Sequence, residues 1–314
     1  MSSSRSDQPG PYKDFKDLIQ LARLHFLIPG LMLYALGWGL ALLREVRFDA
    51  AYFLLGYGVF GLAQFSVNIG NDYFDRESDR FGVHTPVSGG SGVLLRRPEL
   101  ARTALIMTFA IMALSISTGA ILTIITGYGA PYFLFILGGV LLGYFYTAPP
   151  LRLAYRGLGE LTTAVAIRLI MPGMGYWTAT GGLDDLALTF ALPLFCYGVF
   201  FILTVELPDA QFDRLSGKRN LLSVYGEGAG SKVSLAATVM GTVGLLLVWS
   251  IYYKEMGTVL SWMVILSSVP LGAAIIGAKL MPRTRAGVLR QVRINFISML
   301  SFLGLINLLI WVRF

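Results

Sequence analysis

Two short stretches of this 314-residue chain hold seven of its 18 acidic side chains. The first reads Asn68-Ile-Gly-Asn71-Asp72-Tyr-Phe-Asp75-Arg-Glu-Ser-Asp79 and the second Glu206-Leu-Pro-Asp209-Ala-Gln-Phe-Asp213. Asn68, Asp72, Asp75 and Asp79 recur at offsets of 0, 4, 7 and 11, which at about 100° per residue form one narrow stripe of a helix. Glu206, Asp209 and Asp213, at offsets of 0, 3 and 7, share a face in the same way. Carboxylates stacked like this repel one another unless a cation lies among them. Oxygen ligands with no His or Cys between them suit Mg²⁺ or Ca²⁺ rather than zinc. Mg²⁺ fits better, because it is held by a few carboxylates plus substrate phosphates. Two acidic faces opposite each other would grip a diphosphate through two bridging ions. The expected metal set is Asn68, Asp72, Asp75, Asp79, Glu206, Asp209 and Asp213, with the five aspartates as the catalytic residues.

Both runs contain the form Asp-x-x-x-Asp-Arg, at Asp75, Asp79 and Arg80 and again at Asp209, Asp213 and Arg214, 134 residues later. This reads as an internal parallel repeat. Cations lie nearby in sequence: Lys218 and Arg219 follow the second run, and Arg152 and Arg156 precede it. Each could bind phosphate oxygens, and each is equally explained by membrane topology or anionic lipid.

The elements that must position these side chains are membrane helices. Of all residues 55% are hydrophobic and only 14% charged, against about 25% charged in ordinary soluble domains. Disorder is excluded by the spread of aromatic and branched apolar residues, and a disulfide scaffold by a single cysteine, Cys196. A spanning helix needs about 20 mostly apolar residues, and nine stretches come close: 25–43, 51–71, 103–125, 130–146, 160–180, 187–207, 233–252, 258–279 and 296–312. The expected fold is therefore an all-α integral membrane protein. It is one membrane domain: a polar cytosolic segment (1–24), a four-helix unit (25–146), a second one (158–280) and a last helix (296–312), around a central cavity. The start is polar and lacks the apolar core of a signal peptide. With that segment in the cytosol, 20 of the 25 basic residues face the cytosol and four (Arg44, Arg47, Lys254 and Arg313) the other side. The positive-inside rule then places the N-terminus in the cytosol and the C-terminus opposite, in a multi-pass protein expected in the cell membrane, and accounts for the +7 charge without nucleic acid. Arg168 remains, inside the fifth span. A charge there costs about 2.5–3.5 kcal/mol on insertion scales, so Arg168 is expected to face a polar cavity or a carboxylate, or else to snorkel.

Along essentially its whole length the sequence resembles the UbiA-type intramembrane prenyltransferases. The pattern N-x-x-N-D-x-x-D-x-x-x-D is met by Asn68, Asn71, Asp72, Asp75 and Asp79, and D-x-x-x-D followed by G-K-R by Asp209, Asp213, Gly217, Lys218 and Arg219. The run from Gly143 through Tyr146, Pro149 and Pro150 to Tyr155, Gly157, Gly159 and Glu160 is similar to the family's connection between spans four and five. Where relatives commonly carry Lys before the equivalent of Tyr155, this chain has Ala154, which shifts any basic role in that loop to Arg152 or Arg156. The resemblance implies a nine-helix enzyme that uses Mg²⁺ to bind an isoprenyl diphosphate between the two motifs and transfers the prenyl group to a lipophilic, usually aromatic acceptor. Asn68, Asn71, Lys218, Arg219, Arg152 and Arg156 become the candidate diphosphate ligands. Tyr146, Arg168 and Ser88 become candidates for the prenyl or acceptor side. Phe65, Tyr73, Phe145, Tyr146, Tyr176 and Trp177 could flank a carbocation through their π faces; the plainer reading for each is core packing or an interfacial belt.

The loop from His84 through Ser88 to Ser91 resembles the branch that prenylates 1,4-dihydroxy-2-naphthoate in menaquinone synthesis. Rivals are archaeal-type lipid synthases acting on geranylgeranylglyceryl phosphate, a membrane terpene cyclase, and, from another class, a transporter of anionic or phosphorylated solutes. The transporter reading is weakened by carboxylates gathered at one membrane surface. The oligomeric state is not legible in the residues.

Overall fold

Inside a bilayer a backbone can satisfy its own polar groups only as helices or a closed barrel, and the apolar runs of this chain take the first route. The computed structural model describes residues 11–81, 90–281 and 284–314, and has no strand among them. Its main helices are α1 (Pro11–Ala22), α2 (Leu27–Leu43), α3 (Ala50–Asp75), α4 (Ala101–Thr126) and α5 (Gly129–Tyr144). Next comes α6, in which Gly159–Val165 runs through a π turn, Ala166–Ile170, into Met171–Thr180. The rest are α7 (Asp185–Glu206), α8 (Ala210–Ser216), α9 (Leu221–Tyr225), α10 (Glu227–Leu266), α11 (Ser268–Leu280) and α12 (Arg285–Trp311). Six helical stretches among the described residues are long and apolar enough to cross a membrane, and α5 is apolar but shorter.

Local sequence sets the ends. Asp49, Asp184 and Thr284 cap α3, α7 and α12 by accepting from the backbone N–H of Tyr52, Ala187 and Gly287. The π turn in α6 lies just before Pro172, which has no N–H to give the carbonyl four residues back. The 40 residues of α10 would measure about 60 Å as one straight helix, twice the hydrocarbon thickness. Instead Tyr252 leaves helical geometry (φ −105°, ψ 17°), and Trp249 Nε1 donates to Ser261 Oγ at 2.9 Å, where a straight helix would hold the two residues about 18 Å apart. The run therefore doubles back at Tyr252, close to the boundary expected between 233–252 and 258–279. Two expected edges move: 1–24 is not merely a polar segment, because α1 forms within it, and the last helix begins at Arg285 rather than 296.

The helices α2 and α6 cross at the centre. A Cβ on Gly37 would lie 1.9 Å from the Pro172 carbonyl oxygen, and one on Gly175 would lie 2.0 Å from that of Tyr34, so the two backbones touch where only glycine fits. Around this crossing α3 packs along α4 and α7 along α10, while α12 lies between α2 and α11. Gln291 donates to the Ala273 carbonyl and to Asn295, which donates to Thr204, so a buried polar chain ties α12 to α11 and α7. At the end of the bundle remote from the acidic motifs, Arg44 bridges Asp184 (3.3 Å), Asp185 (2.8 Å) and Glu255 (3.1 Å), and Tyr252 donates to Asp185. One guanidinium thus joins the ends of α2, α7 and the reversal in α10.

Candidate active site

Helices α2, α3, α5, α6, α7 and α12 enclose a cavity of about 400 Å³. Its inner wall is apolar, with Phe60, Phe135, Ile167, Met174, Phe201 and Leu303 among the lining residues. Its mouth carries both acidic motifs: Asn68, Asn71, Asp72, Asp75 and Asp79 from one side, Glu206, Asp209 and Asp213 from the other. Two segments far apart in sequence thus meet across one opening.

The local geometry differs from two uninterrupted helical stripes. α3 ends at Asp75, and Asp79 sits on a separate 3-10 turn, Ser78–Phe81. α7 ends at Glu206, so Asp209 begins, and Asp213 lies on, the separate short helix α8. These carboxylates are also largely buried: Asp72 is 4% exposed and the Asp75 side chain 13%. Burial is tolerated where a carboxylate has partners, as Asp72, Asp75 and Asp213 do. Both oxygens of Asp72 accept from the Ser91 N–H, at 3.1 and 3.0 Å. Asp75 accepts from Tyr155 Oη at 2.7 Å and from Lys218 Nζ at 3.0 Å, and Ser78 Oγ lies 2.9 Å from the same tyrosine oxygen. Asp213 accepts from Asn220 Nδ2 at 2.6 Å. Asn71 accepts from Thr147, and Asn68 donates to the Ala22 carbonyl.

Burial, then the charge of Asp75, pushes the Asp79 carboxyl up to about 7. Burial likewise raises Asp213, against the pull of Lys218 and Asn220. For Lys218 burial works the other way, but Asp75 and its acidic neighbours outweigh it and hold the ammonium well above its usual range. The Tyr155 phenol, buried beside Asp75, is pushed up to about 12 and stays a donor. Gly90, at φ +66°, lies so close that a Cβ there would meet Asp79 Oδ2 at 2.3 Å.

Of the expected cations only Lys218 lines the cavity. Arg219 is exposed on the surface. Arg152 stacks over the Tyr155 ring at 3.9 Å and Arg156 donates to the Pro150 carbonyl, both exposed and outside the cavity. Arg168 faces neither the cavity nor a carboxylate: its guanidinium lies 5.5 Å from the Phe195 ring. Among the aromatics proposed to flank a cation, Tyr146 lines the cavity and the other five do not. Ser88 and His84 lie outside the described residues.

Sequence reasoning missed Arg23. It follows α1 in a left-handed conformation (φ 47°), lines the cavity, and lies in the field of Asp72, Asp79 and Asp209. It passed as one more cytosolic cation, and no pattern in the sequence separates it from the others. Tyr155, Asn220 and Glu160 were missed as positioning groups; the Glu160 carboxylate accepts from the Leu221 N–H and so anchors α9.

The donors at the mouth are hard oxygens, and Glu206 Oε2 is buried without a hydrogen-bond partner. Both features fit a divalent cation such as Mg²⁺. Among the described residues no three His, Cys, Asp or Glu side chains form a ready-made metal cage, so a bound ion would take part of its shell from a ligand or water.

Comparison with known proteins agrees with this architecture. A 1,4-dihydroxy-2-naphthoate octaprenyltransferase of Bacillus subtilis (strain 168) is 24% identical over 269 residues, 84% of this chain and 82% of the relative. The fold matches a UbiA homolog from Archaeoglobus fulgidus bound to GPP and Mg²⁺, with a TM-score of 0.64 at 17% identity, covering 93% of this chain and 99% of that one. It also matches an apo UbiA homolog from Aeropyrum pernix K1, with a TM-score of 0.67 at 15% identity and coverage of 88% and 96%. The model of the UbiA prenyltransferase family matches residues 31–300. This multi-pass membrane protein, with two acidic motifs facing each other across an apolar cavity, belongs to the UbiA prenyltransferase family.

Proposed function

We propose that the chain transfers a prenyl group from an isoprenyl diphosphate to a lipophilic aromatic acceptor, 1,4-dihydroxy-2-naphthoate being favoured, with release of diphosphate. The observation that carries this reading is the joining of both acidic motifs to one apolar cavity. A diphosphate suits the rim and a hydrocarbon tail suits the interior. The named activity of the B. subtilis relative and the prenyl diphosphates named with the A. fulgidus structures support it.

In this reading Asn68, Asp72, Asp75 and Asp79 would hold the diphosphate and its metal from one side, and Glu206, Asp209 and Asp213 from the other. Bound Mg²⁺, for which two ions are proposed, would neutralise charge that develops on the leaving diphosphate. Lys218 and Arg23 add fixed positive charge at the same mouth. Tyr155, Ser78 and Asn220 hold the carboxylates in place. Once the bond from the prenyl carbon to diphosphate oxygen breaks, the apolar wall keeps water from the allylic cation until the acceptor's electron pair forms the new bond, after which the acceptor loses a proton, or its carboxyl group as carbon dioxide, to restore its ring. Arg219, Arg152 and Arg156 are left with surface roles. The acidic mouth is assigned to the cytosolic side, with nine crossings and a C-terminus opposite.

The decisive assay is diphosphate release from geranylgeranyl diphosphate by the purified protein with Mg²⁺, with and without an acceptor panel led by 1,4-dihydroxy-2-naphthoate, products being weighed by mass spectrometry. Release that depends on the naphthoate, with that acceptor gaining the prenyl mass, is the expected result. Prenylation of geranylgeranylglyceryl phosphate alone, or a cyclic hydrocarbon formed with no acceptor, would replace it with the lipid-synthase or cyclase reading.

A further inference from the structure

We infer that Gln20 is a positioning residue for Asp72, acting through the strap of residues 90–97, whose Gly90 lines the cavity at the acidic mouth. The inference rests on the functional reading above. Among the described residues Asp72 is held by Ser91, whose N–H is shared between both carboxylate oxygens and whose side chain adds a further hydrogen bond, so its orientation depends on how Ser91 is held. Ser91 stands between Gly90 (φ +66°) and Gly92 (φ +68°), two residues with little backbone restraint of their own. The restraint comes from α1. Gln20 Nε2 donates to the Ser91 carbonyl at 3.0 Å, and Gln20 Oε1 accepts from Arg96 Nη2 at 3.1 Å. One side-chain amide thus ties both ends of the strap's first turn.

One helical turn earlier on the same face of α1, Asp17 pairs with Arg97 at 2.9 Å, the two side chains being only 14% and 13% exposed. Leu21 is fully buried among Ile69, Val93 and Leu94, and Asn68 of the first motif donates to the Ala22 carbonyl. α1 is therefore locked to α3 and the strap together. The contact sequence runs from Gln20 to the Ser91 carbonyl, through Ser91 to its N–H, and on to Asp72.

An exposed glutamine that only stabilised the surface would alter melting temperature and leave metal affinity alone. The test is Mn²⁺ binding by the full-length protein in lipid nanodiscs, followed by electron paramagnetic resonance with inorganic diphosphate present, alongside thermal unfolding. Gln20→Ala and the length-matched Gln20→Met are expected to weaken Mn²⁺ binding about tenfold, the low end of the effect of removing an outer-shell partner, with the melting temperature unchanged. Asp17→Asn should shift affinity in the same direction. Ile19→Ala, on the outward side of α1, should bind as the wild type does. Wild-type affinity in both Gln20 variants, or an equal loss in Ile19→Ala, would overturn the inference while leaving the functional reading intact. A wild-type protein that binds no Mn²⁺ would overturn both.

Discussion

Asp75 is the most committed side chain at the mouth, because its two oxygens are taken by Tyr155 and Lys218. Asp75→Asn keeps the shape and removes the charge. It should therefore lower turnover by more than the roughly 10–100-fold that loss of an outer-shell partner costs, as measured by product formation at saturating substrate. Tyr155→Phe removes one such partner, and kcat/KM should fall about tenfold, with the fold intact by circular dichroism. Lys218→Ala and Arg23→Ala should each raise KM for the prenyl diphosphate about tenfold or more, since a hydrogen bond to a charged group is worth about 1.5–3 kcal/mol. Arg152→Ala and Arg156→Ala should stay within about twofold, because both are exposed and lie outside the cavity. If the two loop arginines matter more than Lys218, the assignment of the phosphate cations is wrong. The contrast also marks what sequence spacing reveals. The acidic residues were legible because seven like charges in an otherwise apolar chain need a reason. Among the cations only geometry separates Arg23 from Arg152, since both sit in polar stretches beside apolar runs with nothing local to tell them apart.

At the scale of elements the longest apolar runs were legible as helices and the breaks at the acidic motifs were not. The apolar runs expected at 51–71 and 103–125 became α3 and α4 with edges moved by only a few residues, because the bilayer demands helix wherever the chain is apolar for long enough. The acidic stripes failed as continuous helices for a local reason. Beyond Asp75 and Glu206 the sequence turns polar and the chain is no longer forced to hydrogen-bond to itself; Leu207 still holds helical angles (φ −56°, ψ −40°), but Pro208 has no N–H to continue the helical hydrogen bonds. The amphipathic α1 was read as a mere polar segment because Lys13, Asp14, Lys16 and Asp17 hide its apolar face in any average over composition. The central crossing yields a prediction of its own. Gly37→Ala or Gly175→Ala drives a methyl group into backbone that cannot yield, and should cost about 1–3 kcal/mol or more, seen as a lower melting temperature in detergent with no change in Mn²⁺ affinity of the protein that remains folded.

For the molecule as a whole, the reading predicts that chelation with EDTA stops prenyl transfer and that added Mg²⁺ restores it, whereas activity indifferent to chelation would exclude a metal role for the acidic mouth. The remote clamp of Arg44 on Asp184, Asp185 and Glu255 belongs to stability alone, so Arg44→Ala should lower the melting temperature while KM for the prenyl diphosphate holds. The bridge between Lys218 and Asp75 has a wider consequence. It joins the second motif's loop to the first motif's helix through a cation that the polypeptide itself supplies, and Arg23 stands beside the other aspartates in the same capacity. A newly inserted chain thus carries internal counter-ions for its own most crowded charges. With its charges offset in this way the chain can assemble without metal, and under the proposed Mg²⁺ dependence cells starved of Mg²⁺ should accumulate an assembled but idle protein rather than a degraded one.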